Sequence, residues 1–265
     1  MRALLLAAGL GTRLQPLTNH MPKCLVPVNG RPLLDYWLEN LLDNGVEEIL
    51  INTHYMAAMV QKYLTKSTWL PHIKMVHEEN LLGTGGTILQ NRNFFRNEIF
   101  LVAHADNLTI FDMQEFSNQH SRRPAGTELT MMVFETSDPQ SCGIVSLDSR
   151  GVVQAFYEKV PMPPGNLANG AVYIFEPSVL DWMAGLDRVQ VDLSNEVIPH
   201  FLGRIFASHN TAYHRDIGTI KSWIESNRDF PYMPATENHK RVWRDILEDG
   251  EGRLAKIVEL LLTDG

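Results

Sequence analysis

The chain has 265 residues, 44% of them apolar and 20% charged, with a formal net charge of -8. That size suits one large α/β domain with a small appendage, and that charge speaks against nucleic acid, whose phosphates call for a basic face. Two cysteines, Cys24 and Cys142, without a CxxC pair, exclude a disulfide framework and a cysteine zinc site.

The apolar run Ala3 to Ala8 is too short for a signal peptide and passes straight into a Gly/Arg loop. It reads as a buried parallel strand. No stretch nears the roughly 20 apolar residues of a membrane span, so a cytoplasmic protein is expected. A turn-rich segment from Gly9 to Gly30 follows. Leu33, Leu34, Trp37, Leu38, Leu41 and Leu42 then recur at helical spacing, with Gly45 at the end. Val46 to Ile51 is the next strand, and strand, loop, helix, strand makes a βαβ unit. The alternation continues through a helix from Met56 to Leu64 and a strand from Ile73 to His77. A helix opened by Gly83-Thr84-Gly85-Gly86 and a strand from Ile99 to Ala103 come next. Short strands are expected at Leu129 to Glu135, Gly143 to Leu147, Val152 to Tyr157 and Ala171 to Phe175, an antiparallel or mixed portion. Helices are expected near Pro177 to Met183, Glu196 to Leu202 and Thr219 to Asn227, with a strand-like Thr211 to His214 before the last. In the tail, Val242, Trp243, Ile246 and Leu247, then Leu254, Ile257, Val258 and Leu261, suggest two short amphipathic helices. They are expected to pack on the core, a homodimer contact being the lesser alternative. The expected fold is a Rossmann-like α/β domain, a mixed, mostly parallel sheet flanked by helices, over 1–230, with a helical tail over 231–265.

The turn after the first strand carries chemistry. Gly9 and Gly11 let backbone amides approach a phosphate chain. Leu14 stands where a dinucleotide fingerprint needs its third glycine, and no Gly-Lys-Ser/Thr follows for a Walker loop. What remains is an anion loop containing Arg13, with Lys23 ten residues on.

The segment Gly9-Leu10-Gly11-Thr12-Arg13-Leu14-Gln15-Pro16-Leu17-Thr18, with Pro22-Lys23 after it, resembles the signature of sugar-1-phosphate nucleotidylyltransferases. The resemblance, which runs to about residue 229, implies the nucleotide-diphospho-sugar transferase fold, Mg²⁺ dependence, and a nucleoside triphosphate and a sugar-1-phosphate as substrates. It implies that Arg13 grips the outer phosphates and that Lys23 contacts phosphate near the reacting centre. Leu6, Ala8, Gly9, Gly11 and Thr12 would line the nucleotide, and Gly83-Thr84 with Glu78 would hold its base. Asp106 and Asp216 would be the metal ligands. Gly143, Glu158, Lys159 and Asn169 would bind the sugar phosphate. One departure stands out: the family's usual Gly-Asp is Ala105-Asp106 here, preceded by His104. The residues agree with the metal assignment, since two carboxylates at the ends of apolar strands can hold magnesium among phosphate oxygens. His104 and His214 are read as packing or orienting residues, because magnesium prefers oxygen.

A carboxylate at position 78 can accept two hydrogen bonds from guanine's ring N–H and amino group, so the segment leans toward guanine and resembles that of mannose- or heptose-1-phosphate enzymes. Uridylyl or thymidylyl transfer is the alternative within the family. A catalytically silent nucleotide-sugar-binding homologue and a dinucleotide-dependent oxidoreductase are the alternatives outside it. The second is disfavoured because Asn52-Thr53-His54 offers no ribose-binding acid.

Overall fold

The computed structural model describes residues 1–231 and 253–264. In chain order the first half contains β1 (Arg2–Leu6), β2 (Pro27–Val28), β3 (Arg31–Pro32), α1 (Leu33–Asp43), β4 (Ile49–Thr53), α2 (Ala57–Thr65), β5 (Ile73–His77), α3 (Gly83–Gln90), β6 (Phe100–His104), β7 (Asn107–Ile110) and α4 (Met113–Ser121). The second half contains β8 (Leu129–Glu135), β9 (Gly143–Leu147), β10 (Val153–Glu158), β11 (Leu167–Phe175), α5 (Pro177–Ala184), α6 (Ile198–His200), β12 (Ile205–His209), β13 (Tyr213–Asp216), α7 (Ile220–Asp229) and α8 (Arg253–Asp264). A π-helical turn, Leu193–Val197, leads into α6.

The main sheet has β5, β4, β1 and β6 parallel, then β11 antiparallel to β6. β8 joins β11 antiparallel and β12 joins β8 in parallel, while the hairpin β9–β10 hangs from the first residues of β11. Strand β1 shows why the apolar run is continuous. Ala3, Leu5 and Ala7 enter the core under α1 and α7, whereas Leu4 and Leu6 pack on the opposite face with α3 and α5. The chain leaves β1 toward β4 on one side and later returns to β6 on the other. The loops after β1 and β6 therefore diverge, opening a crevice at the carboxyl ends of the strands.

The expected alternation and the mixed second half are present, with boundary shifts. Strand β11 begins at Leu167, so Asn169 and Gly170 lie within a strand that changes register between Asn169 and Tyr173. Asp216 ends β13 rather than following it. The segment near Glu196 is a π turn followed by a single short helix, not a regular helix to Leu202. Strands β7 and β12 and helix α4 carry too little apolar periodicity to stand out in the sequence, and β7 proves central to the site. No helix of the described residues is long and apolar enough to cross a membrane. Of the two tail helices, that expected around Trp243 lies outside the described residues. The other is α8, which buries Leu254 and packs Ile257, Val258 and Leu261 on the α1 face.

Candidate active site

Strand β1 ends in a loop whose Gly9, Leu10 and Gly11 amides donate to no partner among the described residues. Gly11 has φ +65°, and a methyl there would come within 2.8 Å of Thr18 Cγ2. Thr18 Oγ1 also donates to Gly11 O at 2.7 Å, which pins the turn. The loop stays open toward the crevice, as an anion cradle requires.

Lys23 follows in a single 3-10 turn that buries it, with only 7% of the residue exposed. Its Nζ donates to Asp106 Oδ2 at 2.6 Å and to Asp216 Oδ1 at 3.3 Å. Asp106 lies between β6 and β7. Asp216 reaches it because β13 pairs antiparallel with β7, setting Asp216 opposite Asn107, and Ile217 N donates to Asp106 O at 3.2 Å. Burial works against the charge on Lys23, yet the two carboxylates outweigh it and hold the ammonium's pKa above its ordinary value. For Asp106 the same burial is overcome chiefly by Lys23 and then by His104, and its carboxyl lies below the usual range.

Arg13 reaches the same corner. A methyl on Gly218 would lie 3.3 Å from Arg13 Nη2 and 2.7 Å from Asp216 Oδ2, so this glycine makes room for both groups. Beside them is a cleft of about 670 Å³, lined among others by Arg13, Glu135, Cys142, His214 and Asp216. His214 packs against Phe134 in a tilted arrangement with ring centroids 4.2 Å apart, and burial pushes its pKa down to about 3. Burial likewise lowers His104. Burial thus works against the charged form of both imidazoles.

The donor set fits a divalent cation. Two carboxylate oxygens, one from the turn between β6 and β7 and one from the end of β13, already converge on one positive charge. No cluster of three His, Cys, Asp or Glu residues disposed to hold a metal occurs among the described residues. Such an ion would complete its shell from water and phosphate, the usual magnesium arrangement.

Beyond the carboxyl end of β6, the early part of β11 carries β9 and β10, and with them the residues expected at the sugar. Gly143 pairs with Glu158 across β9–β10. A methyl on Gly143 would lie 2.5 Å from the Phe156 ring and 2.7 Å from Glu158 Oε2, so the backbone must come this close to the carboxylate. Lys159 is left-handed at φ +49° and exposes its Nζ 3.2 Å from Glu158 Oε1. Asn169 also has partners within the protein. Its Nδ2 donates to Tyr173 Oη at 2.6 Å and its Oδ1 accepts from Ala171 N at 2.9 Å, so its amide builds the irregularity in β11.

On the nucleotide side, three of the expected residues already have protein partners. Glu78 is 5% exposed, and its Oε1 already accepts from Asn52 Nδ2 at 2.9 Å and Thr87 Oγ1 at 2.6 Å. Its Oε2 takes Leu82 N at 3.3 Å, so a free carboxylate edge for guanine is absent in this arrangement. Thr84 Oγ1 accepts from Leu193 N at 2.8 Å, and Leu6 O accepts from Ala105 N at 3.0 Å. Sequence reading missed Asn52, whose Oδ1 takes Ala7 N at 2.7 Å while its Nδ2 holds Glu78. A polar residue ending an apolar parallel strand was the available signal.

A glycine turn with amides unpartnered among the described residues, two carboxylates bridged by a lysine and an arginine beside them meet at the crevice of an α/β sheet. The sequence model of the nucleotidyl transferase family matches residues 2–231, and the chain belongs to that family. It is 32% identical to a mannose-1-phosphate guanylyltransferase of Mycobacterium tuberculosis over 90% of this chain and 68% of that one. It is 31% identical to the mannose-1-phosphate guanylyltransferase catalytic subunit beta of Xenopus tropicalis over 84% of this chain and 63% of that one. The chain thus spans about two thirds of the length of these relatives. Among solved structures, HddC from Yersinia pseudotuberculosis superimposes with a TM-score of 0.73 at 25% identity, covering 87% of this chain and 99% of that one.

Proposed function

We propose that this chain transfers a guanylyl group from GTP to a sugar-1-phosphate of the mannose or heptose kind, releasing pyrophosphate. One observation carries the reading: Lys23, Asp106 and Asp216 meet at the crevice beside the open Gly9–Arg13 turn, although 193 residues separate the first from the last. The names of the relatives support the sugar phosphate and the guanine base. The guanine preference no longer leans on a free Glu78 carboxylate.

The chemistry asks for positioning and charge neutralisation. The attacking sugar-phosphate oxygen is already anionic, so no general base is needed at the α-phosphorus. Arg13 and the loop amides would hold the outer phosphates, and Lys23 would neutralise charge at the reacting one. Glu158 and Lys159 would grip the sugar phosphate, with Gly143 admitting it by its backbone. Asp106 and Asp216 would hold Mg²⁺, which as a Lewis acid offsets the charge of the triphosphate. The reading includes a cytoplasmic enzyme with no nucleic-acid or membrane partner, in which 1–230 is the catalytic domain and 231–265 a tail packed on it, a homodimer contact being the lesser alternative.

The test is pyrophosphate release measured with four nucleoside triphosphates against mannose-, heptose-, glucose- and amino-sugar-1-phosphates. GTP with mannose- or heptose-1-phosphate should lead the panel. Preference for UTP or dTTP would move the assignment within the family, and no turnover with any pair would favour a nucleotide-sugar-binding role.

A further inference from the structure

The Gly83-Thr84-Gly85-Gly86 run is shaped by a second chain segment, Val189 to Leu193, which lies across it. Val191 N donates to Leu82 O at 3.2 Å, and Val191 O accepts from Gly85 N at 2.8 Å and from Gly86 N at 3.0 Å. The Gly85 and Gly86 amides in the first turn of α3 are thus taken by a carbonyl of the protein rather than left for a phosphate. Gln190 Nε2 donates to Leu81 O at 3.2 Å, and Leu193 N donates to Thr84 Oγ1 at 2.8 Å. The glycines are required by this crossing. A methyl on Gly83 would lie 2.7 Å from Val191 O, one on Gly85 2.8 Å from Val191 Cγ1, and one on Gly86 2.4 Å from Val189 O. From the other side Glu78 holds the same loop through Leu82 N and Thr87 Oγ1.

We infer that the strap Val189–Leu193 sets the shape of the base-binding loop, and that Thr84 is a positioning residue which acts through its bond to Leu193 rather than by touching nucleotide. This deepens the reading proposed above and rests on it for the loop's role in holding the base. The strap carries none of the groups assigned to phosphate, metal or sugar, so its loosening should be felt at the nucleotide alone.

Thr84→Val keeps the side-chain shape but removes the acceptor, leaving the buried Leu193 N–H unpaired. Titration calorimetry with Mg-GTP should show affinity weakened about tenfold, with Thr84→Ser restoring it. In turnover the KM for GTP should rise by a similar factor, while kcat and the KM for sugar-1-phosphate stay within about twofold. Gln190→Ala changes an exposed side chain that cannot compromise folding, and should weaken Mg-GTP about threefold. Unchanged GTP affinity in both variants, or an equal rise in the sugar-phosphate KM, overturns the inference and leaves the enzymatic reading standing. Should the native protein bind Mg-GTP yet turn over no sugar phosphate, that reading fails while the titration still decides the strap. If it binds another triphosphate instead, the same titrations are run with that one. Binding of none overturns both.

Discussion

Asp216 stands beside Asp106 because β13 pairs with β7 in a register that sets Asp216 opposite Asn107. This two-stranded ribbon is separate from the main sheet, and its register brings the two carboxylates together. Lys23, on a turn from the far N-terminal segment, closes the group.

If the two aspartates hold a cation among phosphates, their neutral isosteres should fail as ligands. Asp106→Asn and Asp216→Asn should each lower pyrophosphate release by at least about 10²-fold, and Arg13→Ala should do the same by losing its phosphate contact. Near-normal turnover in any of the three would sink the mechanism.

The Lys23 ammonium and a divalent cation ask for the same carboxylate oxygens. Lys23→Met should therefore bind Mn²⁺ about tenfold more tightly than the native protein in the absence of nucleotide, while its turnover collapses. Electron spin resonance of free Mn²⁺ reads this directly. Equal affinities would mean that the carboxylates take metal on their other oxygens with Lys23 in place.

The close approach at Gly143 predicts a selective defect. In Gly143→Ala the new methyl must displace the Phe156 ring and the Glu158 carboxylate. The KM for sugar-1-phosphate should rise about tenfold or more, with the KM for GTP little changed. Matching changes in both constants would show that the strand, rather than the sugar end, has been disturbed.

A pH effect on stability is expected away from the site. Asp35 in α1 is fully buried, with Oδ2 accepting from Tyr63 Oη at 2.5 Å and Oδ1 without a partner among the described residues. Burial, offset in part by Tyr63 and Arg31, pushes its carboxyl up to about 6. The folded chain therefore keeps a proton that the unfolded chain has released. That stabilisation is complete below the unfolded pKa and is lost as pH rises through about 6. A rise of about two units is worth about 3 kcal/mol. Urea unfolding of Asp35→Asn should gain on the native protein by about that amount from about pH 4 to about pH 7. A pH-independent difference would show that Asp35 is ionised throughout.

The sequence by itself determined the class of fold and the ends of the site. The continuous apolar run Ala3 to Ala8, ended by a glycine turn, reads as a strand covered on both faces, and helical spacing in Leu33 to Leu42 supplies the cover. The Gly9–Arg13 turn and Lys23 are local features, so their motif was readable without a structure. The partners of Glu78, Thr84 and Asn169 were not readable, because each is set by a segment that meets it only after folding: Asn52 from β4, Val191 and Leu193 from the strap, and Tyr173 across a register change. A motif names a residue type at a position, but a hydrogen bond also needs a neighbour's distance and direction. Only the tertiary structure decided which polar atoms are left to face a ligand and which already hold the loops that surround it.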